Sequence, residues 1–198
     1  MTLRLEVIPL AVWLGVMFSW FVFAGVFLFR KKPPKAPESK RARISMLGIA
    51  LQGTGYAVVW MVRRQCFTPM VPLPKPLEVV LAVLTLVIAG GSVWLCLAAV
   101  RTLGKEWSFQ ARLVEEHKLV TDGPYRLVRN PIYTGMLGML VATGLAVSHW
   151  LGLAGALAVF GAGTAIRIRS EEKLLREAFG TAFEAYAQRV PALFPRVR

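Results

Sequence analysis

Two short polar stretches hold most of the side chains in this sequence that could do chemistry. The first runs from His117 to Tyr133 and gathers His117, Tyr125, Arg129, Asn130 and Tyr133 around Gly123-Pro124 and Pro131. The second is Arg167-Ile168-Arg169-Ser170-Glu171-Glu172. Arg167 and Glu171 are four residues apart and share a face on a helix, with Glu172 about 100° further round. By spacing alone this stretch reads either as a snorkelling arginine beside an exposed acidic turn, or as ionisable groups turned inward at a membrane boundary, where such groups usually act. Gly123-Pro124 marks a turn and Pro131 a second turn or a helix start. Backbone donors there could receive a carboxylate or another anion. His117 has no second histidine near it and His149 falls in a distant turn, so no metal site is expected. Cys66 and Cys96 have neither metal-ligand nor redox spacing and read as filler.

The elements that must carry these stretches are hydrophobic. The chain has 198 residues, 56% of them hydrophobic, which is too apolar for an ordinary soluble domain of this length. Segments 7–29, 44–62 and 77–100 are each long enough, or nearly so, to cross a bilayer core of about 30 Å. Segment 132–166 is apolar except at Ser148-His149 and reads as a hairpin of two short spans, roughly 16 to 17 residues each. The expected fold is therefore all-α and polytopic, with five transmembrane helices ending in a helical hairpin. The first span is not a signal peptide, because it is too long and Arg30-Lys31-Lys32 follows it. After Glu172, an apolar stripe of Leu174, Leu175, Ala178, Phe179, Phe183 and Tyr186 predicts an interfacial helix, with a break at Gly180 and an end at Pro191 and Pro195.

Charge sets the orientation. With five spans, the 24 basic residues divide into Arg4, Arg63, Arg64 and Lys75 on one side and the rest on the other, a strong positive-inside signal. It predicts an integral, multi-pass protein with its N-terminus outside and its C-terminus cytoplasmic. Both polar stretches then share the cytoplasmic face. The net charge of +13 reads as topology and contact with anionic membrane lipids. Nucleic-acid binding is excluded, since the basic residues flank spans and carry no such motif. One domain is expected over residues 1–198: three N-terminal spans (1–100), then a region (101–198) with the polar loop, the hairpin and the last helix. Oligomeric state is not legible.

These residues resemble the isoprenylcysteine carboxyl methyltransferase family and its relatives, the membrane phospholipid methyltransferases. The shared motifs are H-x-L-V-x-x-G-x-Y, here His117, Leu119, Val120, Gly123 and Tyr125; R-H-P-x-Y-x-G, here Arg129-Asn130-Pro131-Ile132-Tyr133-Thr134-Gly135; an arginine followed by paired glutamates, here Arg167, Glu171, Glu172 and then Leu174; and F-G-x-x-Y-x-x-Y, here Phe179-Gly180 with Phe183 and Tyr186. Leu103-Gly104 and Trp107-Ser108 resemble the segment just upstream. The likeness covers roughly residues 101 to 195. The chain departs from the pattern at Asn130, where the family has His, and at Phe183, where it has Tyr.

The resemblance implies S-adenosylmethionine as cofactor, held in a cytoplasmic pocket by His117, Leu119, Val120, Gly123, Tyr125, Arg129, Asn130, Tyr133 and Glu172. Arg167 and Glu171 would be catalytic, nearer the acceptor. With no G-x-G-x-x-G and no alternating strands and helices, the usual soluble nucleotide fold is excluded. Methyl transfer from a sulfonium needs alignment more than acid or base groups. A carboxylate acceptor is already ionised at neutral pH, and Arg167 could hold it through both arms. The expected function is methylation of a lipid-like or prenylated acceptor, most simply at a carboxylate. The alternatives are N-methylation of a phospholipid amine, a sterol-type NADPH reductase whose C-terminal region resembles this family, and a non-catalytic member. Glycines at 135, 138, 152, 155, 161 and 163 permit either close packing or an opening for substrate.

Overall fold

The computed structural model describes residues 6–28, 38–41, 44–65, 68–71, 73–104, 112–114 and 119–195. His117 and the Trp107-Ser108 motif lie outside them. Six α-helices run in chain order: α1 Val7–Leu28, α2 Ser45–Met61, α3 Lys75–Leu103, α4 Pro131–Val147, α5 Trp150–Phe179 and α6 Thr181–Arg189. A short 3-10 turn, Gly123–Arg126, precedes α4. The helical expectation holds, with one addition among the described residues. Strand β1 (Glu38–Arg41) pairs antiparallel with β2 (Arg112–Val114).

The bundle is apolar outside as well as inside. Phe18, Phe21, Val83, Val87 and Trp94 are exposed, a surface that hydrocarbon accepts and water does not. Polar side chains instead bond inward. Gln52 donates to Thr164 Oγ1 at 2.9 Å, Trp20 Nε1 to Thr143 Oγ1 at 3.0 Å, and Tyr56 OH to Met136 O at 2.7 Å. Three helices, α1, α3 and α5, are long and apolar enough to cross a membrane by length and composition. Of the five expected spans, only those three meet that measure among the described residues. Helices α2 and α4 have 17 residues each, about 26 Å of rise, a little short of a typical core.

Helix α5 runs well past its expected end. It has 30 residues where a short span was expected, because no breaker interrupts Arg167 to Phe179. It stops at Gly180, whose φ of 48° is a positive value that glycine adopts without steric cost. The hairpin break at Ser148-His149 falls where expected, between α4 and α5.

Contacts sort the helix ends into two sets. At one end Lys75 pairs with Glu6 at 3.6 Å, and Arg63 bridges to Ser148. Arg64 donates to the carbonyls of Leu145, Ala146 and Ser148, at 2.8 to 2.9 Å, closing the C-terminus of α4. At the other end β1 meets β2, and the 3-10 turn lies on the last turn of α3. A Cβ on Gly123, which has φ 57°, would meet Thr102 Oγ1 at 2.9 Å. The two polar stretches of the sequence belong to this second end.

Glycines set the closest crossings. A Cβ on Gly48 of α2 would meet Gly163 O of α5 at 2.8 Å, and one on Gly163 would meet Gly48 O at 2.7 Å. Gly135 of α4 lies as tightly on Ser92 and Cys96 of α3, and Gly138 and Gly152 are also closely packed. Gly155 and Gly161 face open space. The two readings of these glycines therefore divide by position.

Candidate active site

The last turns of α5 reach beyond its apolar part and present Arg167, Glu171, Glu172 and Arg176 on successive faces. Two groups form around them.

The first joins α5 to α4. Arg167 is buried, with its side chain 7% exposed, so the snorkelling alternative is set aside. Its Nη2 donates to Glu171 Oε1 at 3.0 Å, and its guanidinium carbon lies 5.1 Å from the centre of the Tyr133 ring. Tyr133 OH donates to the same Glu171 oxygen at 2.5 Å. One carboxylate oxygen thus receives an arginine and a phenol, and the arginine is stacked on that phenol's ring. The helical spacing of Arg167 and Glu171 and the placement of Tyr133 one turn into α4 produce this triangle. It is rigid because every member is held by the other two.

The second group ties the loop to the end of the chain. Arg129 donates from Nε (3.0 Å) and Nη2 (2.7 Å) to Glu172 Oε1, and both side chains are nearly buried. Its Nη1 donates to Ala187 O at 3.0 Å and to Val190 O, so it also closes the C-terminus of α6. The backbone N–H groups of Arg129 and Asn130 donate to Pro191 O and Ala192 O, at 2.8 and 3.0 Å. The Asn130 amide donates to Ala192 O at 3.1 Å, and Thr134 Oγ1 donates to Leu193 O at 2.7 Å. The residue that replaces the family histidine therefore fixes the C-terminal segment with a donor, a task that needs no titrating group.

Tyr125 is buried, and its carbonyl accepts from Tyr186 OH at 2.7 Å. Burial pushes the Tyr186 phenol up to about 12, so it remains a donor at neutral pH. Leu119 packs on the cluster of Phe183, Tyr186 and Val190, and Val120 is half-buried. The expected interfacial helix, α6, thus lays its apolar face on α5 and the motif loop. Phe183, where the family has Tyr, is 1% exposed and sits under the Arg176 guanidinium at 5.3 Å.

The structure brings together Leu119, Tyr125, Arg129, Asn130 and Glu172 in one group and Tyr133, Arg167 and Glu171 in the other. Gly123 lies at the edge, against α3. The long-range partners Thr134–Leu193 and Tyr186–Tyr125 were not anticipated. Their residues lie in or beside the motifs, yet spacing alone gives no sign of which carbonyl each hydroxyl meets. Among the described residues no group of three His, Cys, Asp or Glu side chains is placed to hold a metal ion.

The donor set can be tested against the cofactor that the motifs imply. Among the described residues Glu172 Oε2 has a long contact, 3.4 Å to half-exposed Arg176, and its remaining lone pairs suit a cationic donor such as an ammonium. Tyr125, Leu119 and the backbone from residue 119 to the 3-10 turn add apolar surface and polar main chain. These groups fit a nucleoside bearing an amino acid.

Known proteins match this same region. The phospholipid methyltransferase family model matches residues 77–182, more than half of the 198-residue chain. Protein-S-isoprenylcysteine O-methyltransferase B of Arabidopsis thaliana is 36% identical over 101 residues, 50% of this chain and 51% of that protein. A probable protein-S-isoprenylcysteine O-methyltransferase of Oryza sativa subsp. indica is 36% identical over 99 residues, 49% of this chain and 52% of that protein. Cobalt-zinc-cadmium resistance protein CzcN of Cupriavidus metallidurans is 40% identical over 102 residues, 48% of this chain and 44% of that protein. The chain spans about half the length of the curated relatives it matches. The match covers α3 to the start of α6 and includes both side-chain groups, and the chain belongs to the phospholipid methyltransferase family.

Proposed function

We propose that this protein is an S-adenosylmethionine-dependent methyltransferase of the membrane, acting on a carboxylate of a lipid-like or prenylated acceptor. The observation that carries the reading is the buried Arg167–Glu171–Tyr133 triangle set one residue from the Arg129–Glu172 pair. Two arginines, Arg167 and Arg129, hold the adjacent Glu171 and Glu172 where the apolar part of α5 ends. The names of the Arabidopsis and Oryza relatives support the acceptor class. The charge asymmetry of the loops favours a cytoplasmic site with the N-terminus outside.

S-adenosylmethionine, when bound, supplies a methyl group activated on a sulfonium. Glu172, held by Arg129, would take the amino group of such a cofactor, with Leu119, Val120, Gly123, Tyr125, Asn130 and Tyr133 around it, and with His117 added by the motif alone. Arg167 orients the acceptor carboxylate through its planar guanidinium. Tyr133 and Glu171 hold that fork still, so the acceptor oxygen is aligned before reaction rather than during it. The apolar walls of α2, α4 and α5 exclude water, which strengthens each charge contact. No proton need be removed, because the acceptor arrives ionised.

A phospholipid amine is the competing acceptor. It is disfavoured by Arg167, whose charge opposes the ammonium that such a reaction makes. The test is incubation of the full chain in nanodiscs with methyl-labelled cofactor and equal amounts of N-acetyl-farnesylcysteine and phosphatidylethanolamine. Base-labile label on the farnesylcysteine is expected. Label on the phospholipid would replace the carboxylate reading with the amine one, and label on neither would point to a non-catalytic member.

A further inference from the structure

Beside the apolar part of α5 lies a partly open apolar groove of about 240 Å³, lined by Leu137, Phe160, Thr164, Ile168 and Leu193, with Arg169 at one end. Buried Phe160, Thr164 and Ile168 form its floor and Leu137 of α4 a wall. Exposed Gly161 and Ala165 leave its outer side low. Arg169 follows Ala165 by one turn, and Lys173 follows Arg169 by another. Both cations are exposed, and neither has a carboxylate partner among the described residues. Every other arginine described on this stretch of α5 is paired, Arg167 with Glu171 and Arg176 with Glu172 and Glu184.

We infer that this groove is a binding site for one anionic phospholipid, its acyl chain lying along Leu137, Gly161 and Ile168 and its phosphate between Arg169 and Lys173. The complementarity is along the helix. The apolar trough lies in the hydrocarbon part of α5, and two unpaired cations stand where α5 leaves it. Residues i and i+4 on a helix are close enough to share one phosphate, and basic residues at that depth attract anionic headgroups. The site is separate from the reaction triangle, because Arg169 lies about 200° round α5 from both Arg167 and Glu171. It goes beyond the methyl-transfer reading and does not depend on it.

The experiment uses the purified full chain in detergent with spin-labelled phosphatidylglycerol and phosphatidylcholine. Wild type is expected to retain the phosphatidylglycerol with a preference on the order of tenfold. The Arg169→Gln/Lys173→Gln variant should lose that preference. Gly161→Leu should release the chain of either lipid, and it should fold, because a Cβ at Gly161 meets nothing within 4 Å. Equal retention of the two lipids by wild type, or a preference unchanged in the double variant, would overturn the inference. So would displacement of the labelled lipid by equimolar N-acetyl-farnesylcysteine, which would give the groove to the acceptor's tail. Methyl transfer by the double variant stays within about threefold of wild type on this account. Absence of methyl transfer by wild-type protein that still prefers phosphatidylglycerol would count against the catalytic reading and leave this one standing.

Discussion

Replacing Arg167 by Lys separates the two duties assigned to the arginines of the site. The substitution keeps one positive charge opposite Glu171, so the local ion pair survives. It removes the planar fork and the stacking on Tyr133, now 5.1 Å from the guanidinium carbon. A buried cation–π contact is worth about 2 kcal/mol, most of which a folded variant loses as stability. In the reaction, a two-armed contact to the acceptor made in the transition state is worth on the order of 2 to 4 kcal/mol, or roughly 30- to 1,000-fold in rate. Cofactor affinity should stay within about threefold, because Glu172 lies on a different face of α5 and Arg129 reaches it from the loop before α4. The assay is single-turnover methyl transfer in nanodiscs, beside calorimetry with S-adenosylmethionine and a melting curve to establish folding. A folded Arg167→Lys protein that no longer binds the cofactor would move Arg167 into the cofactor pocket. A folded variant with unchanged turnover would remove it from the site altogether.

Other outcomes follow from the packing. Glu172→Ala strands the buried Arg129 guanidinium and should cost about 3 to 5 kcal/mol; the Arg129→Ala/Glu172→Ala double variant should cost clearly less than the two single changes together, which a double-mutant cycle on melting curves checks. Gly163→Ala drives a methyl into the α2 backbone, 2.7 Å from Gly48 O, and should destabilise by about 1 to 3 kcal/mol; Gly155→Ala, facing open space, should be neutral or slightly stabilising in the same assay. Single cysteines at exposed Asp122 and Trp150, in a background lacking Cys66 and Cys96, should react with impermeant thiol reagents from opposite sides of sealed vesicles. Labelling of both from one side would refute the topology.

What the sequence revealed tracks what is local. The hairpin turn at Ser148-His149 and the helix break at Gly180 are set by neighbours in the chain, and both were legible. So was the pairing of Arg167 with Glu171, which helical spacing dictates. The Arg129–Glu172 pair joins residues 43 apart, and the strap from Pro191 to Leu193 returns to Arg129, Asn130 and Thr134 across 59 to 62 residues. Such contacts depend on how α4, α5 and α6 pack, which periodicity does not encode. The length of α5 was underestimated because hydropathy ends where Arg167 begins, while the helix continues until a residue stops it. The β1–β2 ribbon carries no alternating apolar pattern, being charged in β1 (Glu38–Arg41), and so left no signal. Arg64 was counted only as a topological charge, yet it caps α4.

On the proposed function, the loop before α4 and the end of α5 together form a site for S-adenosylmethionine. Its most direct test is equilibrium titration of the purified full chain, in nanodiscs, with S-adenosylmethionine and separately with NADPH. Saturable, one-to-one binding of S-adenosylmethionine is expected, weakened at least tenfold in Tyr125→Ala protein that still melts cooperatively, with no binding of NADPH. Saturable binding of NADPH, or no binding of S-adenosylmethionine by folded wild-type protein, would contradict it.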